Sequence, residues 1–535
     1  MEKQSILRSK PYLYLTEFFA GMSVMAVELG ASRLLAPYFS SSQIVWTIII
    51  GTIMIAMALG NVYGGRRADQ DPNPDKLYFR ILIAAIWIAA IPVLGKYVIV
   101  GIAAVVIFSV NTNFLVIAAF AACMVVFVFP LFLLGTVTPS LAKYTTDSLK
   151  DNGRIVGTLG AFNTIGSIIG TFLPTFVTIP AVGTAITFLL FAGILLLLSL
   201  LYFISAKTHK KAIVVSLVLF LLCTVFGHDS SFAFWEKDLS YEGESVYNYL
   251  QVREDDRRVA LSTNVLFGVQ SVLMKQEELT GMYYDYAMAA PYMADAVKDG
   301  YQARILILGN GTGTYATQCA RYFSDPFVEA VEIDDKITAL AYDYFDFDQA
   351  VKTTTYDGRA YLNAIDGQYD VIMVDAYQDI TIPFQMSSTE FFTLVRDHLK
   401  ENGVMVVNMN MRGEQAGNIN EYLTDTICSV FPEVVAADVA YSTNRELFAS
   451  NNQKMLTVFR ENVAAEEQQE LADMMRVVSE HLTPCTGGTH ILTDDKAPVE
   501  LLGMQVIDEL IRDEAAYYKK IYQEQGFQGL LENAI

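Results

Sequence analysis

Long apolar runs dominate the first 228 residues of the chain, whereas the later residues alternate short apolar runs with polar stretches. A helix needs about 20 apolar residues to cross the hydrocarbon core of a membrane, so each long run predicts a spanning helix. The predicted helices cover about 11–36, 44–64, 77–94, 97–110, 114–142, 155–179, 184–204 and 211–227. Because two of these runs are short, the pattern predicts an α-helical transmembrane bundle of seven or eight helices over 1–228.

After residue 228 the pattern changes to short strands and helices. A polar, aromatic linker leads into Tyr249–Arg253 and Arg258–Ser262, whose alternating side chains predict a small β-hairpin region within 229–300. From residue 301 onward, short buried strands alternate with helices, which is typical of a parallel sheet covered by helices on both faces. We therefore predict a Rossmann-like α/β domain over 301–535.

Polar residues of this domain fall where its predicted strands end. The strand Arg304–Leu308 runs into the glycine turn Gly309–Gly313, and later strands end at Glu332, Asp357 and Asp375. In doubly wound sheets, ligands bind beyond the carboxyl ends of the strands. A glycine turn lets the backbone approach a ligand, and an acid about 20 residues later can accept from both ribose hydroxyls. The placement therefore predicts a nucleoside site.

The order of the acids narrows the class of ligand. Asp357, after the third strand, can accept a hydrogen bond from an adenine amino group, and a dinucleotide dehydrogenase has no use for it. The lysine of a phosphate-binding Walker loop is absent from the glycine turn. This arrangement favours an enzyme that uses a ligand of the S-adenosylmethionine type.

Charge is divided unevenly between the two halves. Residues 1–230 carry 9 acidic and 15 basic side chains, and the remainder carries 49 acidic and 22 basic ones. Nucleic-acid binding needs clustered Lys and Arg, so the acidic half argues against it and suits a cationic substrate, although acidity also serves solubility. The five cysteines include no Cys-x-x-Cys pair, which supports neither a zinc site nor a disulfide framework, and we predict no metal.

At these residues the chain resembles the spermidine synthase family, and more closely its membrane-fused bacterial members, over about 240–502. The resemblance implies that decarboxylated S-adenosylmethionine, or S-adenosylmethionine itself, is the cosubstrate and binds at Gly309, Gly311, Thr312, Gly313, Glu332, Asp357 and Gln270. It implies that Asp375 deprotonates the attacking amine and that Asp379 lies in the amine-binding loop that follows. It also implies that Tyr284 and Asp285 bind the amine.

Two stretches depart from the family pattern. Thr312 stands where the family has an Asp that contacts the aminopropyl amine, and Tyr283-Tyr284-Asp285 replaces Tyr-Gln-Glu. These changes spare the nucleoside contacts. They alter the part of the site that distinguishes decarboxylated S-adenosylmethionine and putrescine from other ligands.

The resemblance implies a membrane-bound aminopropyltransferase that moves an aminopropyl group from decarboxylated S-adenosylmethionine to a small cationic amine. Two alternatives stay open. One is an S-adenosylmethionine-dependent methyltransferase acting on a membrane-associated substrate, which Thr312 favours. The other is a polyamine-binding or transport module without catalysis, against which the presence of Asp375 argues. The family also implies a homodimer, and the apolar runs imply a lipid bilayer as the surroundings.

The basic residues leave the membrane topology in conflict. Cytoplasmic loops are rich in Lys and Arg, and the basic stretches here are the N-terminus, 64–80, 143–154 and 207–211. If 77–110 crosses the membrane once, seven spans place the C-terminal half outside. If it forms a hairpin, eight spans place that half in the cytoplasm but leave two basic loops outside. We expect eight spans and a cytoplasmic catalytic domain, because the nucleoside ligand is cytosolic.

Overall fold

A computed structural model provides the three-dimensional description of the chain. It describes residues 10–39, 41–110, 113–145, 152–228, 231–236, 239–263, 268–377, 382–410, 412–413 and 415–533. The chain divides into two compact units, Met1–Lys237 and Asp238–Ile535. The first unit is helical and the second is an α/β unit, which confirms the predicted order of the two fold types.

The helical unit consists of long apolar helices joined by short connections. In order they are α1 (Lys10–Phe39), α2 (Gln43–Gln70), α3 (Pro74–Ser109), α4 (Phe114–Val126), α5 (Val128–Gly135), α6 (Val137–Thr145), α7 (Asn152–Leu173), α8 (Ile179–Ala206) and α9 (Lys210–Gly227). A short π-helical turn, Pro174–Thr178, joins α7 to α8. Helices α1 and α7 pack backbone against backbone, because a Cβ on Gly166 or Gly170 would collide with the carbonyl oxygen of Phe18 or Met22.

The expected hairpin within 77–110 is wrong. Helix α3 continues without a break from Pro74 to Ser109, although Pro92 lies inside it. The sequence separated the apolar runs 77–94 and 97–110, but a proline inside a spanning helix is tolerated when neighbouring helices pack around the freed backbone. Gly227 of α9 lies against Pro92 and Val93 at this point. The prediction of eight spans, which required the hairpin, therefore fails.

Among the described residues, five helical segments are long and apolar enough to cross a membrane, or six if the bent pair Phe114–Val126 and Val128–Thr145 is one span. The longest segment, Asn152–Ala206, contains Gly183 in a non-helical conformation (φ 78°, ψ 171°). Thr187 Oγ1 donates to Thr178 Oγ1 across 3.0 Å, whereas residues nine apart in a straight helix are separated by roughly 13 Å. The segment thus folds back on itself and contains two long apolar helices, so the described residues contain up to seven segments that are long enough to cross a membrane.

The α/β unit contains two sheets. Strands β1 (Tyr241–Glu244), β2 (Tyr249–Glu254), β3 (Arg258–Ser262) and β4 (Ser271–Met274) form an antiparallel sheet in sequence order. The larger sheet contains β5 (Arg304–Leu308), β6 (Phe327–Glu332), β7 (Lys352–Thr355), β8 (Tyr369–Val374), β9 (Leu399–Met409), β10 (Glu433–Asp438), β11 (Arg445–Ser450) and β12 (Leu482–Pro484). Its spatial order is β12-β10-β11-β9-β8-β5-β6-β7. Strands β5 to β9 pair in parallel and the three others antiparallel, as in a Rossmann-like sheet with an antiparallel edge.

Helices cover both faces of the larger sheet. They are α10 (Tyr283–Ala287), α11 (Ala289–Met293), α12 (Thr314–Tyr322), α13 (Asp335–Tyr344), α14 (Gly358–Ala364), α15 (Thr389–Asp397), α16 (Ile419–Val430), α17 (Met455–Ala464), α18 (Gln469–His481) and α19 (Val499–Asn533). A continuous apolar core joins α10, α11 and α12 to one face of the sheet through residues such as Tyr292, Tyr315, Met373 and Phe448. This rigid packing fixes the strand ends at which the predicted site residues lie.

Candidate active site

The carboxyl ends of four neighbouring parallel strands carry the predicted nucleoside residues. The strand order β8-β5-β6-β7 places Asp375, the Gly309–Gly313 turn, Glu332 and Asp357 next to one another along one edge of the sheet. Asp375 N–H donates to the carbonyl of Leu308 at 2.9 Å, which joins the ends of β5 and β8 directly. The structure therefore brings these predicted residues together.

The glycine turn needs its glycines for two reasons. Gly309, Gly311 and Gly313 all have positive φ angles, of 92°, 54° and 89°, which side chains other than glycine rarely adopt. A Cβ on Gly309 would also lie 2.5 Å from the carbonyl oxygen of Asp375. The turn thus lies tightly against the end of β8, and its backbone can approach a ligand there.

Glu332 is fixed by the same turn. Its Oε2 accepts from the N–H of Gly311 at 2.8 Å, and its Oε1 accepts from the N–H of Asp334 at 3.0 Å. Burial raises the pKa of Glu332 to about 7, although both backbone N–H groups act to lower it. Glu332 is 7% exposed, and its carboxyl still has lone pairs for two ribose hydroxyls.

Asp357 occupies the N-cap of α14, where its side chain accepts from Ala360 N–H at 2.8 Å. The neighbouring residues Ile333 and Tyr356 follow the ends of β6 and β7 and expose 39% and 54% of their surfaces. Exposed apolar side chains beside two acids suit the flat face of an aromatic base. Asp357 therefore caps α14 and lies next to this exposed apolar surface.

Asp375 follows β8 and is held from two sides. Its Oδ2 accepts from the Tyr283 hydroxyl at 2.7 Å, and its Oδ1 accepts from Asn408 Nδ2 at 2.9 Å. Burial raises the pKa of Asp375 to about 7, against the lowering effect of these two hydrogen bonds, and the nearby Glu332 charge raises it further. A carboxyl with this pKa can accept a proton near neutral pH.

The residues predicted to bind the amine, Tyr284, Asp285 and Asp379, do not form one cluster among the described residues. The Tyr284 hydroxyl donates to the carbonyl of Gln270 at 2.7 Å, and the Tyr284 ring lies 4.0 Å from that of Tyr283 between centroids. Asp285 instead accepts from Thr280 and from the N–H of Gly281, so its carboxylate fastens the turn before α10. Asp379 lies outside the described residues.

Thr312 and Asn310 present unused polar atoms in the turn. The N–H of Thr312 donates to Ser271 Oγ at 3.2 Å, which ties the turn to the smaller sheet. Thr312 Oγ1 and Asn310 Oδ1 are buried, and neither finds a hydrogen-bond partner within the described part of the chain. Buried polar atoms are usually paired, so these two point to a ligand that approaches the turn.

Three site residues were missed in the sequence. Tyr283 contacts Asp375 although its neighbour Tyr284 was predicted to bind substrate, and adjacent tyrosines give no signal that separates them. Asn408 could have been found, because it lies near the carboxyl end of β9 and so obeys the same rule as the acids. Glu446 is fully buried on β11, directly opposite Asn408, and the sequence of this antiparallel strand gives no signal that would place it there.

One cluster in the described ranges has the composition of a metal site. Single ligand atoms of Glu421, Asp425 and His490 lie within 4.8 Å of one another. The two oxygens of Asp425 already accept hydrogen bonds from the backbone N–H groups of Gly488 and His490, and both bonds are 2.9 Å long. The cluster thus fastens the segment before α19 to α16.

A Rossmann-like sheet whose strand ends hold a glycine turn and neighbouring acids is typical of transferases that bind a nucleoside cosubstrate. Residues 287–466 match the family model of the spermine/spermidine synthase domain. The chain is 53% identical over 353 residues to the "Probable polyamine aminopropyl transferase" of Bifidobacterium longum, a match that covers 62% of this chain and 77% of that protein. The chain therefore belongs to the spermidine synthase family of polyamine aminopropyltransferases, and it is a transferase.

Two further comparisons are with more distant proteins. The "Polyamine aminopropyltransferase" of Vibrio vulnificus is 26% identical over 257 residues, which covers 47% of this chain and 82% of that protein. A solved structure of a probable spermidine synthase from Corynebacterium glutamicum is 18% identical, with a TM-score of 0.36, and the match covers 48% of this chain and 99% of that chain.

Proposed function

We propose that the α/β unit transfers the aminopropyl group of decarboxylated S-adenosylmethionine to a small cationic amine. The observation that carries this proposal is the position of the Asp375 carboxyl beside the glycine turn, where burial raises its pKa to about 7. Tyr283 and Asn408 hold this carboxyl in one orientation. The name of the Bifidobacterium longum relative supports the same reaction.

The proposed reaction needs one proton acceptor and no acid. The amine nitrogen attacks the aminopropyl carbon bound to the sulfonium, a C–N bond forms and the C–S bond breaks. The bonding electrons return to sulfur, so methylthioadenosine leaves as a neutral thioether. The nitrogen loses a proton, which the Asp375 carboxylate accepts. A well-placed proton acceptor accelerates such a step by about 10²- to 10⁴-fold.

The nucleoside residues have separate roles in this proposal. Glu332 accepts from the two ribose hydroxyls, and Asp357 accepts from the adenine amino group. The Gly309–Gly313 turn allows the sulfonium end of the cosubstrate to approach Asp375. Gln270 joins the site through its backbone carbonyl, which holds the Tyr284 hydroxyl. In-line positioning of both reactants is the main contribution of such a site.

Product analysis tests the reaction. We would incubate the purified full-length protein with decarboxylated or intact S-adenosylmethionine and a panel of amines, and identify products by mass spectrometry. Methylthioadenosine and an amine heavier by one aminopropyl group are expected from the decarboxylated cosubstrate alone. S-adenosylhomocysteine and a methylated product from the intact cosubstrate would instead support the methyltransferase alternative, which the neutral Thr312 favours.

We further propose that the helical unit spans a membrane seven times with its basic loops in the cytoplasm. Contacts within this unit place the basic loops 64–80, 143–154 and 207–211 at the same end of the helices. Lys143 pairs with Asp69 at 2.8 Å, and the Tyr202 hydroxyl donates to Asp75 at 2.6 Å. At the other end, Tyr38 and Lys96 donate to backbone carbonyls of 231–232 at 2.8 and 2.9 Å. The residues after α9 thus begin on the side opposite the basic loops.

Seven spans would place the residues after α9 on the side opposite the cytoplasm, whereas the sequence analysis expected the catalytic residues in the cytoplasm. Chemical labelling of cysteines distinguishes these two locations. In a variant without native cysteines, Lys207→Cys and Asp256→Cys would be exposed separately to a membrane-impermeant maleimide in intact spheroplasts. Seven spans predict that Asp256→Cys reacts before lysis and Lys207→Cys only afterwards. Reaction of Asp256→Cys only after lysis would restore the cytoplasmic location.

The division into 1–228, 229–300 and 301–535 and the homodimer stay predictions. We propose that the purified protein is a homodimer, as the family resemblance implies. Light scattering on the detergent-solubilised full chain, corrected for bound detergent, should give the mass of two chains. The mass of one chain would contradict the homodimer.

A further inference from the structure

Glu17 is a buried carboxyl group of the helical unit that the proposed aminopropyl transfer does not use. It lies in α1, is 0% exposed, and its Oε2 has no hydrogen-bond partner among the described residues. An acid inside a membrane-spanning bundle costs free energy, and such acids are found chiefly on the paths of ions and protons. The free Oε2 of Glu17 therefore points to a ligand that this oxygen binds.

Two neighbouring helices hold the other oxygen of the carboxyl. Thr138 Oγ1, on α6, donates to Glu17 Oε1 at 2.6 Å, and Asn163 Nδ2, on α7, donates to the same atom at 2.8 Å. These two neutral donors favour the ionised carboxylate, whereas burial favours the neutral acid. Because the two effects oppose each other, the carboxyl can exist both with and without a proton.

No positive side chain balances the Glu17 carboxylate within the described ranges, where it forms no ion pair. The titratable side chains at the same end of the helices packed against α1 include Arg67 on α2, Tyr78 and Arg80 on α3, Lys143 and Tyr144 on α6, Arg154 on α7 and Tyr202 on α8. Tyr78 bonds instead to Thr16 at 2.8 Å, and Arg80 donates to Ser140 at 3.2 Å. A cation from outside the protein must therefore neutralise Glu17.

The packing around Glu17 favours the smallest cation. A Cβ on Gly21, one turn after Glu17, would lie 2.6 Å from the carbonyl oxygen of Asn163, so α1 and α7 touch through their backbones beside the carboxyl. Hard metal cations take about six oxygen ligands, but Thr138 and Asn163 direct hydrogens rather than lone pairs at Glu17. A proton needs no further ligand.

We propose that Glu17 reversibly binds a proton, so that Glu17, Thr138 and Asn163 form a proton-binding site in the helical unit. The proton comes from water, adds to Oε2 and returns to water on release. Glu17 lies seven residues after Lys10, the first residue of α1, which is roughly 10 Å along the helix axis from the end that carries the basic loops. This site is independent of the proposed transfer reaction in the α/β unit.

The test uses dicyclohexylcarbodiimide, an apolar reagent that modifies carboxyl groups in their protonated form. Membranes that contain the full-length protein would be treated between pH 5 and pH 9, and the modified peptide identified by mass spectrometry. We expect modification of Glu17 at pH 5, with a rate that falls about tenfold per pH unit once the carboxyl is mostly ionised. Sodium chloride at fixed pH should not protect Glu17, and protection would overturn the proposal in favour of a metal cation.

Two threonine variants separate proton binding at Glu17 from the pH dependence of the reagent. Thr138→Val removes one donor to the carboxylate, so the midpoint of the labelling curve should move to higher pH by about one unit. Thr164→Val removes an exposed hydroxyl of α7 that donates to the carbonyl of Gly160, and it should leave the curve unchanged. Labelling of Glu17 that does not vary with pH, or equal curves for the two variants, would overturn the proposal.

Infrared spectroscopy covers the case in which the reagent does not modify the wild-type protein. Difference spectra between pH 5 and pH 9 should show a carboxylic acid band that converts to a carboxylate band in the wild type and is missing from Glu17→Gln. Identical difference spectra for the wild type and Glu17→Gln would overturn the proposal.

Discussion

Replacement of Asp375 by Asn tests the proton acceptor most directly. The substitution keeps the size of the side chain, and its amide oxygen can still accept from Asn408 or Tyr283. It removes the group to which the amine would lose its proton. We expect kcat to fall by about 10²- to 10⁴-fold, while the KM of the nucleoside cosubstrate changes little because Glu332 and Asp357 are intact.

The same substitution has an opposite effect on stability. Burial raises the pKa of Asp375 from an ordinary 3.8 to about 7, so the folded protein binds this proton more tightly than the unfolded chain does. Stability therefore decreases as the pH rises from about 4 to 7, and the loss, at most roughly 4 kcal/mol, persists above pH 7. Asp375→Asn should abolish this loss of stability, so it should raise the melting temperature at pH 8 but not at pH 4.

Activity and stability measured together test both effects. Product formation would be followed by mass spectrometry between pH 5 and 9, and thermal unfolding at pH 4 and pH 8. In the wild type, kcat/KM should rise about tenfold per pH unit below pH 7 and level off above it, because the carboxylate is the active form. An Asp375→Asn protein that retains most of its activity, or that is less stable than wild type at pH 8, would refute the reasoning.

Other substitutions probe the surrounding frame. Gly309→Ala forces a positive φ and a contact with the Asp375 carbonyl, so we expect loss of folded protein or of activity, measured by circular dichroism and by product assay. Asp357→Ala removes a helix cap, which should lower the unfolding free energy by about 1 kcal/mol and raise the KM of the cosubstrate while leaving kcat unchanged. Asp494→Asn breaks a two-bond ion pair with Arg359, which should cost below about 1 kcal/mol in chemical denaturation because the pair is partly exposed.

The strand ends of the α/β unit were predictable from the sequence because each β-α unit is a local pattern. A buried run, a glycine turn and a helix follow one another within about 20 residues, and parallel strands necessarily gather their carboxyl ends at one edge. Glu332, Asp357 and Asp375 were accordingly placed without knowledge of the strand order. Glu446 was out of reach, since its position opposite Asn408 follows only from the antiparallel register of β9 and β11.

Helix α3 illustrates a different limit. The sequence divides this region into two apolar runs, 77–94 and 97–110, which are separated by Gly95 and Lys96. In the structure, the Lys96 ammonium reaches the carbonyl of Ser231, and Gly227 packs beside Pro92. Packing between helices thus keeps α3 continuous despite the local sequence. Whether this region forms one helix or two decides whether the number of spans is odd or even.

The acids of the site also predict how protons accompany binding. Near pH 7 Glu332 and Asp375, each with a pKa of about 7, are partly protonated, and burial holds the pKa of Glu446 well above its ordinary value. A bound sulfonium and a bound ammonium each favour the ionised carboxyl, so binding of the two cations must release protons. Calorimetry of cosubstrate and amine binding at pH 7, in buffers with different ionisation enthalpies, measures that release. Heats that do not depend on the buffer would mean that these carboxyls are already ionised, and the proton acceptor would then be an ordinary acid.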